Sequence, residues 1–168
     1  MVKDFFKELL KTLCLALIMV IILITFVFMP CVVEGTSMNN TLYEDDFGYS
    51  FIISRKIGIN RFDIAVIKSG DSSSSKLLVK RVIGLPGETV EYIDNKLYIN
   101  GEYFEEDFLG DVSTGDLKIT LGSDEYYCLG DNRNVSRDSR FYGPFKSEKI
   151  VSTHLFIFYP LKDFGFKK

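Results

Sequence analysis

Leu77-Leu78-Val79-Lys80-Arg81-Val82-Ile83-Gly84 runs straight into Leu85-Pro86-Gly87-Glu88, and this stretch decides the fold class. The apolar part is short, rich in Val, Ile and Leu, and closed by a turn signal, which reads as a strand. Pro followed by Gly suits the two central positions of a type II turn. Downstream, Thr89–Ile93 and residues 97–99 flank Asp94-Asn95, and Asn100-Gly101 leads into Glu102–Phe104. Asn-Gly between apolar runs is a hairpin signal, because both residues tolerate positive φ. Residues 51–53, 63–67, 126–129 and 153–159 are further short runs of β-branched and aromatic residues. No long 3.6-residue period appears after Val33, so residues 34–168 read as an all-β domain. Residues 69–75 (SGDSSSS) read as a flexible surface loop, and the acidic, Gly-rich residues 105–124 as an excursion away from the core.

The N-terminal part has a different pattern. From Thr12 to Val33 no residue carries a charge. A helix crossing ~30 Å of hydrocarbon needs roughly 20 apolar residues, so this run is long enough to span a bilayer. A cleaved signal peptide would have a shorter apolar region and a small-x-small cleavage site. Here the run ends Phe26-Val27-Phe28-Met29-Pro30, which offers no such site, so it reads as an uncleaved anchor. Lys3, Lys7 and Lys11 precede it, and the next basic residue after it is Arg55. Positive charge marks the cytoplasmic flank. The expected layout is therefore a cytoplasmic N-terminus at 1–11, a single-pass anchor in the cell membrane at 12–33, and an extracytoplasmic domain at 34–168. The three lysines also share one helical face, which can meet anionic headgroups of the lipid bilayer.

Composition excludes several function classes. With 20 basic residues against 23 acidic ones the net charge is −3, which is not that of a nucleic-acid binder. One His and three Cys are too few and too scattered for a Cys/His zinc site, and neither a metal nor another cofactor is signalled. Cys14, Cys31 and Cys128 stand in apolar surroundings and read as small apolar filler rather than a disulfide framework.

Lys80 is unusual. Side chains alternate along a strand, so Lys80 shares a face with Leu78 and Val82. Burial there would disfavour the ammonium and lower its pKa, and a neutral amine near physiological pH can act as a general base. From periodicity alone, a lysine snorkelling from an edge strand fits equally well. A serine nucleophile needs such a base. The sole histidine, His154, lies on a face with Phe156 and Phe158 and reads as structural. Ser-Lys pairs are a known alternative to the Ser-His-Asp triad.

Three motifs then carry a resemblance. Gly35-x-Ser37-Met38 comes after the apolar run. Lys80-Arg81-x-x-Gly84-x-Pro86-Gly87 is next, and Gly130-Asp131-Asn132-Arg133-x-x-Ser136-x-Asp138-Ser139-Arg140-x-x-Gly143 comes last. In this order they resemble bacterial type I signal peptidase, in its short Gram-positive form, and Arg61-x-Asp63 resembles a fourth motif. The resemblance implies a mainly β fold: one transmembrane helix followed by an antiparallel, partly barrel-like catalytic domain. It implies Ser37 as nucleophile, Lys80 as general base and the Ser37 backbone N–H as oxyanion donor. Ser136 would hydrogen-bond and orient Lys80, while Arg81, Asp131, Asp138 and Arg140 would form a supporting ion-pair network. Val33, Met38, Leu42 and Val79 would line shallow pockets for the substrate. That substrate would be a secretory preprotein with small residues at −1 and −3 of its signal-peptide cleavage site. Two positions depart from the family pattern: Asn40 stands where Pro is common, and Phe62 where Gly is common. Two rivals differ in class, a soluble Ser-Lys autoprotease of the LexA-repressor type and a silent membrane-anchored β domain. The apolar run and third motif argue against the first, and retention of both Ser37 and Lys80 against the second.

Overall fold

The structure is a computed structural model that describes residues 2–70 and 75–167. Helix α1 (Val2–Val27) has no buried residue, so its apolar side chains face outward all round. It stops short of the end of the apolar run 12–33. Pro30 biases Met29 away from helical backbone, and Pro fits an edge strand, where its missing N–H costs nothing. Residues 28–32 accordingly form strand β1 (Phe28–Val32), paired antiparallel with β2 (Phe47–Phe51). The short helix α2 (Ser54–Ile57) leads to β3 (Ile64–Lys68) and β4 (Leu77–Gly84), which pair antiparallel with Ala65 opposite Lys80. Of the loop expected at 69–75, residues 71–74 lie outside the described residues.

β5 (Thr89–Ile93), β6 (Lys96–Ile99) and β7 (Glu102–Phe104) form a meander. Both of its turns have two residues at positive φ, Asp94 and Asn95 in one and Asn100 and Gly101 in the other. That backbone matches the right-handed twist of the strands it joins. β8 (Leu117–Thr120) pairs with β5 and completes a four-stranded sheet ordered β7-β6-β5-β8. Residues 105–124 thus do not leave the core. β8 lies within them, Leu121 is 4% exposed, and Phe108 packs on the same cluster. The chain continues through β9 (Glu125–Leu129), the short helix α3 (Ser139–Tyr142), β10 (Phe145–Lys146), β11 (Ile150–Tyr159) and β12 (Gly165–Lys167). The larger sheet has the order β1-β2-β11-β3-β4-β9-β10, with β12 added on β11, and every pairing is antiparallel.

Among the described residues, three apolar clusters hold the β domain together around β4, one of them built from Ala65, Ile67, Val82, Cys128, Phe145 and Ile150. Ile83, Tyr92, Leu97, Tyr127 and Leu129 bind the small sheet to the large one. Val33, Met38 and Leu42 pack with Cys31, Ile64, Leu155 and Ile157. Met38 and Leu42 are 1% and 0% exposed, so each anchors the loop 36–42 with roughly 2 kcal/mol of apolar burial.

Candidate active site

The loop 36–42 is pinned at both ends of a tight turn. The Asn39 N–H donates to the Thr36 carbonyl at 3.2 Å and the Leu42 N–H to that of Met38 at 2.9 Å. With Met38 held in the core, Ser37 stays at the surface of a groove. Lys80 reaches it from β4, 43 residues away in sequence: Lys80 Nζ donates to Ser37 Oγ at 2.6 Å and to the Val79 carbonyl at 2.9 Å. Lys80 is 3% exposed. Burial pulls its pKa down to about 8, against the opposing pull of the Asp138 and Asp131 carboxylates. An amine that loses its proton near pH 8 within hydrogen-bond reach of a hydroxyl can take that hydroxyl's proton. Of the two placements open to Lys80 from periodicity, the buried one is realised and the snorkelling one is not.

Arg81, next along β4, points to the other face and pairs with Asp131. Its Nε donates to Oδ1 at 2.8 Å and its Nη2 to Oδ2 at 2.7 Å, and both residues are buried. Such a pair is retained in low dielectric only when its remaining polar atoms are satisfied. They are: Arg81 Nη1 donates to the Phe62 carbonyl at 2.8 Å, and Thr41 Oγ1 donates to Asp131 Oδ2 at 2.5 Å. The next residue closes the circuit. The Asn132 N–H donates to the Ser37 carbonyl at 3.1 Å, and Asn132 Nδ2 to the Thr36 carbonyl at 3.1 Å. Gly130 is required by this contact. A Cβ there would lie 2.4 Å from the Ser37 carbonyl oxygen and 2.2 Å from Ser136 Oγ.

Asp138 caps α3 and holds the other end of the third motif. Burial pushes its carboxyl up. The Arg140 guanidinium and the Gly130 N–H outweigh this and leave it below its ordinary value. Arg133, quoted in the motif without a role, is buried with Glu106. Its Nη2 donates to Glu106 at 2.5 Å, its Nη1 to the Tyr92 hydroxyl at 3.0 Å, and its Nε to the Gly130 carbonyl at 3.0 Å. Asn132 was likewise quoted without a role, and Thr41 and Glu106 were given none from the sequence. An arginine inside a motif signals a buried acidic partner, but nothing local said which of the many acids it was.

Two expected placements are corrected. Ser136 makes no hydrogen bond to Lys80; its Oγ is buried against Gly130, and the lysine's contacts go to Ser37 and the Val79 carbonyl. Leu42 does not line the groove but is wholly buried beneath it. Val33, Met38 and Val79 do line it, together with Cys31, Val66 and Leu78, in a cleft of about 490 Å³ that also holds Ser37 and Lys80. β1 forms one wall and is the terminal strand of its sheet. His154 bonds through Nδ1 to the Thr153 hydroxyl at 2.9 Å and has Nε2 3.9 Å from Asp63; neither contact is with Ser37. Both departures from the family pattern sit at positive φ: Phe62 at +69°, where Gly is at ease, and Asn40 at +87°, which Pro cannot adopt.

Residues 6–159 match the family model described as "Signal peptidase, peptidase S26". The chain belongs to the signal peptidase family. Among similar proteins, signal peptidase I V of Bacillus subtilis (strain 168) is 41% identical over 146 residues, which cover 74% of this chain and 82% of that one. Signal peptidase I of Bacillus licheniformis is 34% identical over 174 residues, covering 96% and 92%. The crystal structure of a signal peptidase I from Enterococcus faecalis V583 superposes with a TM-score of 0.52 at 38% identity, covering 56% of this chain and 95% of that one. As a signal peptidase of the S26 family the chain is a serine peptidase, and its mainly β fold is that of its structural relative. Its apolar N-terminal helix fits a membrane-anchored protein.

Proposed function

We propose that this chain is a single-pass membrane endopeptidase that removes N-terminal signal peptides from secretory preproteins, with Ser37 as nucleophile and Lys80 as general base. The observation that carries the reading is the 2.6 Å contact between the Ser37 hydroxyl and a lysine that is 3% exposed. In its neutral form Lys80 accepts the Ser37 proton as Oγ attacks the scissile carbonyl. The Ser37 N–H makes no hydrogen bond among the described residues, which leaves it free to donate to the oxyanion. The lysine then hands its proton to the leaving amine, and the acyl-enzyme is hydrolysed by a water that Lys80 deprotonates. The Val79 carbonyl supports the aim of the amine, and the Arg81–Asp131 and Asp138–Arg140 pairs hold the strand and loop around it.

An extended preprotein segment can add to the free edge of β1, sending alternate side chains into the cleft. Val33, Met38 and Val79 offer apolar, shallow walls there, which suit small residues at −1 and −3. α1 crosses the bilayer with Lys3, Lys7 and Lys11 in the cytoplasm and the β domain outside. Within the span, the Thr25 hydroxyl bonds to the Ile21 carbonyl at 2.8 Å, so that polar group enters lipid satisfied. The span holds the cleft at the membrane surface, where a membrane-held substrate presents its cleavage site. Cleavage of a preprotein by the purified full chain in detergent tests the reading. Wild type cuts at the signal-peptide junction and Ser37→Ala does not; substantial turnover by Ser37→Ala overturns the serine mechanism.

A further inference from the structure

Residues 106, 108 and 110, between β7 and β8, each meet a loop or strand that carries the site. Glu106 pairs with Arg133 at 2.5 Å. The ring centroid of Phe108 lies 3.9 Å from the Arg81 guanidinium carbon. Gly110 sits so close to Asn40 that a Cβ there would be 2.6 Å from the Asn40 amide nitrogen. The ring of Phe108 is backed in turn by Phe62, centroid to centroid 5.3 Å at 62°. Phe62 has φ +69°, in the left-handed region where a residue with a bulky ring is an outlier. Such a backbone persists only where its surroundings over-determine it. Here the Phe62 N–H donates to the Val82 carbonyl at 2.7 Å, and its carbonyl accepts from Arg81 at 2.8 Å.

We propose that Phe108, backed by Phe62, is a positioning residue for the Ser37–Lys80 pair, acting through Arg81 and Asp131. The inference rests on the reading of that pair as catalytic. A guanidinium fork fixed in one plane by Asp131 keeps a free face, and the π face of Phe108 covers it, an attraction strengthened by burial. Covering that face holds Arg81 in register with Asp131. Asp131 holds Thr41, and the neighbouring Asn132 holds the Ser37 carbonyl. The backbone of β4 that fixes Arg81 also carries Lys80. Phe108 thus reaches both members of the pair without lining the cleft.

Preprotein cleavage by the full chain in detergent, with kcat and KM measured separately, tests this. Phe108→Ala is expected to lose kcat on the order of 10- to 100-fold, with KM within about twofold of wild type, because a small misplacement slows chemistry without weakening peptide binding. Phe108→Tyr keeps the π face and restores the rate, while Phe108→Leu keeps apolar bulk only and falls between. Phe62→Gly accepts φ +69° without strain, so it removes the backing ring at no backbone cost and serves as the second variant. It is expected to lose kcat in the same way, and the double variant to be little worse than either single. Thermal melts monitored by circular dichroism report whether each variant is folded. Wild-type kcat in Phe62→Gly and Phe108→Leu, or a rise confined to KM, overturns the positioning role. Ser37→Ala, run in parallel, separates the two ideas. Turnover there removes the catalytic pair itself, whereas a dead Ser37→Ala beside unimpaired Phe108 variants removes only the role of Phe108.

Discussion

Replacing Lys80 by Met should abolish cleavage and yet stabilise the fold. Met keeps an unbranched, flexible stem and discards the amine. In the folded chain that amine titrates at about 8, against an ordinary value of 10.5, because burial penalises the ammonium more than Asp138 and Asp131 favour it. Each unit corresponds to ~1.36 kcal/mol, so at pH 7 the folded wild type carries a penalty of about 3 kcal/mol that Met does not. Between pH 8 and 10.5 the unfolded chain binds more protons at this site than the folded one, so wild-type stability rises with pH through that window. Below pH 8 both states hold the proton and the penalty is constant. The advantage of Lys80→Met should therefore be about 3 kcal/mol at pH 7, about 2 at pH 9 and about 1 at pH 10. The attraction of Asp131 and Asp138 for the ammonium is already contained in the value of about 8, and both carboxylates keep their arginine partners in the variant. Urea unfolding of both full chains in the same detergent gives the difference. Far-UV circular dichroism is the probe, since the chain has no Trp. Stability curves that run parallel from pH 7 to 10 would falsify the claim that burial of the Lys80 amine depresses its pKa.

The same titration governs turnover. Cleavage should rise with pH along an acid limb centred at about 8, and His154→Gln should leave that limb in place; a limb that disappears in His154→Gln identifies a different base. Gly130→Ala places a Cβ 2.4 Å from the Ser37 carbonyl oxygen, so it should slow cleavage roughly 100-fold in a folded protein, and a wild-type rate would show that the loop yields freely. Arg81→Met leaves the Asp131 carboxylate buried without its partner and should lower stability by about 3–5 kcal/mol in urea unfolding, whereas a loss under ~1 kcal/mol would mean that water reaches Asp131. Asn40→Gly should be neutral and Asn40→Pro destabilising despite the family preference for Pro, because φ is +87° here; equal melting temperatures would show that the loop has a second acceptable backbone.

Much of the fold was legible because its signals are local. The two-residue turns at Asp94-Asn95 and Asn100-Gly101 arise from residues that tolerate positive φ, and the strands on either side from their β-branched and aromatic content. The end of α1 was not legible from hydropathy. Residues 28–33 are as apolar as those before them, but apolarity does not distinguish a lipid-facing helix from a strand that buries Cys31 in the domain core. The excursion 105–124 misled for the opposite reason. Its acids suggested solvent, while Glu106 is buried against Arg133 and Leu121 lies in the core.

The sequence by itself determined the class of the protein: an apolar N-terminal helix, a β domain, and Ser37 and Lys80 as the residues worth pairing. Their types and motifs carry that information without any long-range contact. Only the tertiary structure decided what those residues do to one another. Lys80 and Ser37 lie 43 positions apart, and Arg81 and Asp131 lie 50 apart. The burial that depresses the lysine, the buried Arg81–Asp131 pair, the sealed position of Leu42 and the lack of a hydrogen bond between Ser136 and Lys80 are set by distant strands meeting across a curled sheet. A hydroxyl's partner or a side chain's desolvation is a property of the surroundings. Those surroundings exist only once the chain has closed on itself.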